Sequence, residues 1–214
     1  MEKLTQQDVE LVVRTMADVA LANEKYFSDL DAVMGDADFG TSLADGYRAL
    51  TAGWEKLDRS SISSFLLSVA TIIVSKTGGS SGPVWGTLFM RCGAVAKGMA
   101  ELILPDIIAM LESAMQGITA RGGAVPGDKT LLDALDAIVK SLRQSQSNNV
   151  DSLLTAFDAA AEAAYETRET TKGWIAKRGR QSFTGERSRG TYDPGIIAMG
   201  DMAKAIAKAL NEQA

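Results

Sequence analysis

Three aspartates define the chemistry this chain could perform. Asp31, Asp36 and Asp38 fall within LDAVMGDADFGTS, spaced by small residues between two apolar stretches. If a helix ends near Gly35, their carboxylates converge. Two like charges about 4 Å apart repel by roughly 4 kcal/mol at an effective dielectric near 20, and a hard divalent cation relieves that repulsion. Magnesium takes oxygen ligands in an octahedron and shares phosphate oxygens readily. The segment also opens a helix, whose first amides favour anions. Capping of that helix is the competing, purely structural use of the same side chains. Two other templates fail. An EF-hand loop starting at Asp36 needs glycine at its sixth position and glutamate at its twelfth, where this chain has Thr41 and Tyr47. The DFG triplet of protein kinases works with a histidine-containing catalytic loop and a glycine-rich strand pair, and this chain offers neither.

Histidine is absent from all 214 residues. That excludes Ser-His-Asp and Cys-His catalysis within the chain and removes any phosphohistidine carrier role. What remains is carboxylates, lysine, arginine, hydroxyls, backbone amides and a hard metal ion. Three further segments supply such groups. TGGSSGPVWG (Thr77–Gly86) combines Gly78, Gly79 and Gly82 with the hydroxyls of Ser80 and Ser81. It is either a turn against which a phosphate or ribose can lie or a tight helix corner, and it lacks the GK[ST] of a Walker loop. In RGGAVPGDKTLLDAL (Arg121–Leu135), Asp128 and Thr130 can cap a helix, and Arg121 and Lys129 can alternatively face phosphate. KRGRQSFTGERSRGTYDPG (Lys177–Gly195) is a basic island, with Lys177, Arg178, Arg180, Arg187 and Arg189, in a chain of net charge −5. Long segments without periodicity are often functional and arginine forks suit phosphate; simple solvation is the alternative.

The elements that must position these groups are helices. Val9, Val12, Val13, Met16, Val19 and Ala20 form one apolar stripe, with Thr5 as its cap. Further helices are expected over about Ser42–Leu57, Ile62–Lys76 (capped by Ser60 or Ser61), onward from Pro83, Pro105 to Gly122–Gly123, Thr130–Arg143, Ser152–Thr171, and onward from Asp193–Pro194. These eight helices, with no alternating strand pattern and no linker, predict one all-α domain over residues 1–214. In an up-and-down bundle alternate turns fall at the same end, which would bring the acidic and basic segments to one mouth. The lone Cys92 reads as a buried helical hydrophobe and permits no internal disulfide, as in a reduced compartment. The negative charge argues against a nucleic-acid partner. The charged first residues do not read as a signal peptide, and FLLSVATIIV is too short to span a bilayer, so a cytoplasmic protein without membrane insertion is expected.

In this order, LDAVMGDADFG, GGSSGPVWGTLF, RGGAVPGDKTLLDAL and GRQSFTGERSRGTYDPG resemble the L subunit of bacterial dihydroxyacetone kinase and the nucleotide-binding domain of single-chain dihydroxyacetone kinases. The matching pieces run from Leu30 to Gly195. The resemblance implies an antiparallel barrel of eight helices with ADP or ATP at one end. It implies that Asp31, Asp36 and Asp38 hold two Mg2+ ions against the phosphates, with Asp36, Asp38 and Arg180 as the catalytic groups. Phe39, Gly40, Thr41, Ser42, Ser80, Ser81, Gly122, Leu131, Arg180, Asp193, Pro194 and Gly195 would line the nucleotide. Phe39 departs from the family, which usually has histidine there. The resemblance further implies a separate K subunit that holds the keto-triose through a histidine. Bound ADP is then recharged by a phosphohistidine protein of the phosphoenolpyruvate phosphotransferase system, or ATP exchanges. Alternatives are an ATP-dependent two-part kinase for another keto-sugar such as a tetrose, or a nucleotide-loaded module that binds a transcription regulator; a homodimer is compatible with each. An aspartate-rich prenyl-transfer enzyme needs a second such motif, which the chain lacks.

Overall fold

The structure, a computed structural model, describes all 214 residues, Met1 to Ala214. Its helices are α1 (Gln6–Ala22), α2 (Glu24–Ala32), α3 (Phe39–Ala52), α4 (Ile62–Lys76), α5 (Ser81–Val95), α6 (Leu104–Gly122), α7 (Leu131–Ser147), α8 (Leu153–Lys172) and α9 (Pro194–Gln213). Short 3-10 turns lie at Trp54–Lys56 and Arg180–Ser188. Local chemistry sets the boundaries. Thr5 and Asp8 form a reciprocal capping box at α1, and Thr130 and Asp133 form another at α7. Ser61 caps α4 through the Ser64 amide, and Gly123, at φ 68°, closes α6 in the left-handed region.

The single rod expected at the N-terminus is interrupted at Asn23, whose side-chain amide donates to the Val19 carbonyl at 2.9 Å and ends α1. Counting α1 and α2 as that one bent rod, eight helical units remain, as expected. Each packs on its neighbour in sequence, α1, α3, α4, α5, α6, α7, α8, α9, and α9 packs back on α1. The ring therefore closes into an up-and-down barrel, and α2 wedges between α3 and α9. One continuous apolar cluster of 42 buried residues, with Phe27, Tyr47, Phe65 and Trp85 among its largest, fills it, so there is one domain rather than two.

One end is tied by the N-terminal residues: Leu4 and Leu102 exchange backbone hydrogen bonds of 2.8 and 2.9 Å, and the Leu153 amide donates to the Met1 carbonyl at 2.9 Å. The four glycine-rich segments collect at the other end, the mouth. An apolar cavity of about 180 Å³ lies inside the barrel, lined by residues such as Val13, Phe89, Met110, Leu142 and Met202. Its walls are entirely hydrophobic, so it offers nothing to a phosphate. No helix is long and apolar enough to cross a membrane.

Candidate functional site

The acidic pole is built by the turn between α2 and α3. Asp31, buried in the last turn of α2, accepts from the Asp38 and Phe39 amides at 3.1 and 3.3 Å through one carboxylate oxygen. The Gly35 amide closes the turn onto the Asp31 carbonyl at 2.6 Å. Ala37 takes a left-handed φ of 63°, costly for a residue with a Cβ, and so brings Asp36 and Asp38 to the same side as Asp31. One carboxylate oxygen from each of the three lies within 4.8 Å of the others. Asp38 occupies the N-cap position of α3 but makes no side-chain capping bond, so capping does not account for it. Burial first, and then the charges of Asp36 and Asp31, raise its carboxyl above the ordinary carboxylate range.

The start of α3 is seated tightly. A Cβ on Gly40 would stand 2.0 Å from the Glu24 carbonyl oxygen and 2.6 Å from the Ser28 amide, so only glycine lets α3 approach α2 here. The Thr41 amide donates to Ser28 Oγ at 3.2 Å, a supporting role for Ser28 that the sequence did not signal. Phe39 turns its ring inward, edge-on to Phe27 at 6.3 Å, so its side chain brings no polar group to the mouth. Ser42 Oγ reaches the place where a Gly78 Cβ would be, 2.7 Å away, which sets the first turn of α3 against the second glycine-rich segment. There Gly79 has φ 58°, and Ser80 and Ser81 open α5 with no side-chain capping bond.

The third and fourth segments meet across α7 and α9. A Gly195 Cβ would lie 3.3 Å from Leu131 Cβ, so Leu131 and the Asp193–Gly195 turn are neighbours at two helix N-termini. Asp193 caps α9 by accepting from the Ile196 amide at 2.9 Å. Burial, reinforced by nearby Asp133, pushes its carboxyl up to about 7, against the Ile196 and Gly195 amides and Lys129. Gly122 ends α6 at the same mouth and is exposed.

The basic island divides by role. Lys177 donates to the Gly127 carbonyl at 2.9 Å, and Arg178 to the Gly123 carbonyl at 2.7 Å and to Asp128 at 3.3 Å. Arg189 holds the Gly173 carbonyl at 3.0 Å and Glu186 at 3.2 Å. These three stitch the loop together, so the island is neither simply solvated nor a row of phosphate ligands. Arg180 is the one that reaches the acidic pole, with Nη2 2.7 Å from Asp36 Oδ2. Two expectations for the third segment are corrected. Lys129 does not face a phosphate, because it is fully buried among backbone carbonyls. Asp128 does not cap α7, a position held by Thr130; it accepts from the Val125 amide at 3.1 Å and pins Arg178. Arg121 stays exposed in the last turn of α6.

The mouth thus sets three convergent carboxylates opposite a guanidinium, with hydroxyls and helix N-termini on its remaining walls. Those donors fit a hard cation bridged to a polyphosphate. The DAK2 domain profile matches residues 33–208. The chain belongs to the DAK2 domain family. This DAK2 domain is 33% identical over 195 residues to the ADP-binding subunit DhaL of the PEP-dependent dihydroxyacetone kinase of Escherichia coli K12, covering 91% of this chain and 92% of that one. It is also 33% identical over 213 residues to the L-erythrulose 1-kinase of Mycolicibacterium smegmatis, covering 95% of this chain but only 36% of the relative. Among solved structures, the dihydroxyacetone kinase of C. freundii in complex with AMP-PNP and Mg2+ superposes with a TM-score of 0.66 at 25% identity, over 98% of this chain and 34% of that chain. The resemblance drawn from the four motifs, and the helical barrel it implied, are both borne out.

Proposed function

We propose that this DAK2 domain is the nucleotide-binding, phosphoryl-transferring subunit of a dihydroxyacetone kinase. The observation that carries the reading is the convergence of Asp31, Asp36 and Asp38 within 4.8 Å, faced by Arg180 at 2.7 Å from Asp36. Asp31, Asp36 and Asp38 would hold two Mg2+ ions, which when bound neutralise phosphate charge and orient the transferred group. Arg180 exchanges its contact with Asp36 for a phosphate oxygen and steadies the charge that develops there. Ser80 and Ser81, whose hydroxyls are not spent on capping, donate to the phosphates. Leu131, Gly122 and the Asp193–Gly195 turn form the wall against which the rest of the nucleotide lies. Within Phe39–Ser42 the Phe39, Thr41 and Ser42 amides are already given to Asp31, Ser28 Oγ and the Asp38 carbonyl, so the Gly40 amide and the dipole of α3 are what favour an anion there, and the inward Phe39 ring does not disturb them.

The acceptor hydroxyl belongs to dihydroxyacetone held covalently on a separate K subunit, which docks over the mouth. Phe183, 90% exposed on the same 3-10 turn as Arg180, offers that partner an apolar anchor. Bound at this mouth, ADP would serve as a cofactor that a phosphohistidine protein recharges; that the E. coli relative is an ADP-binding subunit of a PEP-dependent kinase supports this reading. A second reading, an ATP-dependent kinase for a keto-tetrose, is favoured by the equal identity to the L-erythrulose kinase. Reconstitution with a K subunit separates them. The first reading expects phosphorylation of dihydroxyacetone from the phosphohistidine donor; the second expects phosphorylation of erythrulose from ATP. No sugar phosphorylation with either donor would contradict both and favour a regulatory module.

A further inference from the structure

Lys129 is the least expected charge in the molecule. It is fully buried, its backbone adopts a left-handed φ of 62°, and it has no carboxylate partner within ion-pair distance. Its ammonium donates instead to three carbonyls: Lys172 at 3.3 Å, Trp174 at 3.1 Å and Ser188 at 2.8 Å. A lysine has three N–H donors, so the whole donor capacity is spent on one loop. The first two carbonyls stand where the chain leaves α8, and the third stands at the end of the 3-10 turn that begins at Arg180. The Gly190 amide to the Lys172 carbonyl, at 2.8 Å, and the Ala176 amide to Ser188 Oγ, at 3.0 Å, pinch the same two strands of the loop.

A buried cation is costly unless its hydrogen bonds are satisfied. Burial also pulls this ammonium below the usual lysine range, while Asp193 opposes that shift. A methionine of similar length would close the same space without that cost. What lysine adds is direction: one ammonium at the centre of three convergent carbonyls donates to all of them, beside the Gly190 amide on Lys172 and the Thr191 hydroxyl on Ser188. The residue is also joined through Thr130 to Leu131, the first residue of α7, at the nucleotide wall.

We propose that Lys129 is a positioning residue, fastening both ends of the segment that carries Arg180 and so fixing the guanidinium over the phosphate site and in register with the Leu131 wall. The proposal rests on the reading of the mouth as a nucleotide site, but its mechanical half does not depend on that reading. Without the ammonium, the Lys172, Trp174 and Ser188 carbonyls lose their common donor, the pinch loosens, and Arg180 samples positions away from the acidic pole.

The test uses the full chain with Lys129→Met, Arg180→Ala and the double variant. Hydrogen–deuterium exchange of residues 174–190 is read beside thermal unfolding, and Mg·ADP affinity is read by calorimetry. In Lys129→Met, exchange across 174–190 should rise about tenfold or more while the nine helices keep their protection. Affinity for Mg·ADP should fall about tenfold in the wild-type background and less than about twofold in the Arg180→Ala background, because residues that act through one another are not additive. Unchanged exchange in 174–190 would overturn the fastening. An equal loss of affinity in both backgrounds would overturn the link to Arg180 and leave Lys129 a merely structural residue. If Lys129→Met fails to fold, Lys129→Gln, whose amide offers two N–H donors for three carbonyls, is read instead: exchange across 174–190 should rise by less than in the methionine variant, and no rise would overturn the fastening. Failure of the wild-type chain to bind ADP would instead overturn the nucleotide reading, and the exchange result would still decide the fastening.

Discussion

Replacing Asp38 with asparagine should move stability and ligand binding in opposite directions. The side chain makes no capping bond, so Asp38→Asn acts mainly through charge: it removes the repulsion from Asp36 and Asp31 and, against that, the attraction to Arg180. At the 4.8 Å that bounds the cluster, each like-charge pair costs roughly 0.9 kcal/mol in the water limit and roughly 3.5 kcal/mol at an effective dielectric of 20. Asp31 is buried but Asp38 itself, like Asp36, is exposed, so water screens the Asp38 charge and the lower figure applies to both of its pairs, which together come to about 1.7 kcal/mol. Loss of a carboxylate from the N-terminus of α3 takes back about 0.3–1 kcal/mol. With the lost attraction to Arg180 also subtracted, the net gain is at most about 1 kcal/mol, or a Tm increase of at most about 2–4 °C for a chain of this length. The assay is thermal unfolding at pH 7 in a chelator and again with excess Mg·ADP. In the chelator Asp38→Asn should melt higher than wild type. With Mg·ADP the order should reverse, because the variant has lost a metal ligand. A lower Tm for the variant in chelator would mean that the three carboxylates do not strain the apo turn, and equal stabilisation of both proteins by Mg·ADP would mean that Asp38 is not a metal ligand.

Three further outcomes are expected. Arg180→Ala breaks an ion pair in which Arg180 is 63% exposed, so Tm should change by no more than a few degrees, while calorimetry should record at least a roughly tenfold weaker Mg·ADP affinity. Gly40→Ala would drive a methyl to 2.0 Å from the Glu24 carbonyl; chemical denaturation should show a loss of about 1–3 kcal/mol, and Mg·ADP binding should fail with it. Asp193 is raised to about 7 in the folded protein, above the ordinary value near 3.9. Over that window the folded state keeps a proton that the unfolded state has released, so stability falls as pH rises from about 4 to about 7. Asp193→Asn keeps a capping oxygen and stays neutral, so its Tm should decline less across the same window.

Much of the scaffold could be read from the sequence because helices announce themselves locally. The apolar stripe after Thr5, the serines before Ile62 and the glycine pair after Arg121 mark ends that the structure confirms. The break at Asn23 was hidden because the apolar spacing continues through Phe27 and the interruption is one residue's turn, at which the Asn23 backbone and side-chain amides both bond the Val19 carbonyl. The acidic cluster was legible because its three aspartates share one turn. The basic island was not, since composition cannot tell Arg180, which reaches Asp36, from Arg178, which holds a carbonyl 55 residues away. Lys129 was misjudged for the same reason. Its partners lie 43 to 59 residues further along the chain, and nothing local distinguishes a buried fastening lysine from one that faces phosphate.

The central claim, that a metal-bound nucleotide sits at this mouth, is tested most directly by a crystal structure grown with ADP and Mn2+, using the anomalous signal of manganese. Anomalous density should appear bonded to the carboxylates of Asp31, Asp36 and Asp38, with the ADP phosphates between that density and Arg180. Manganese bound elsewhere, or ADP bound away from the glycine-rich mouth, would contradict the claim.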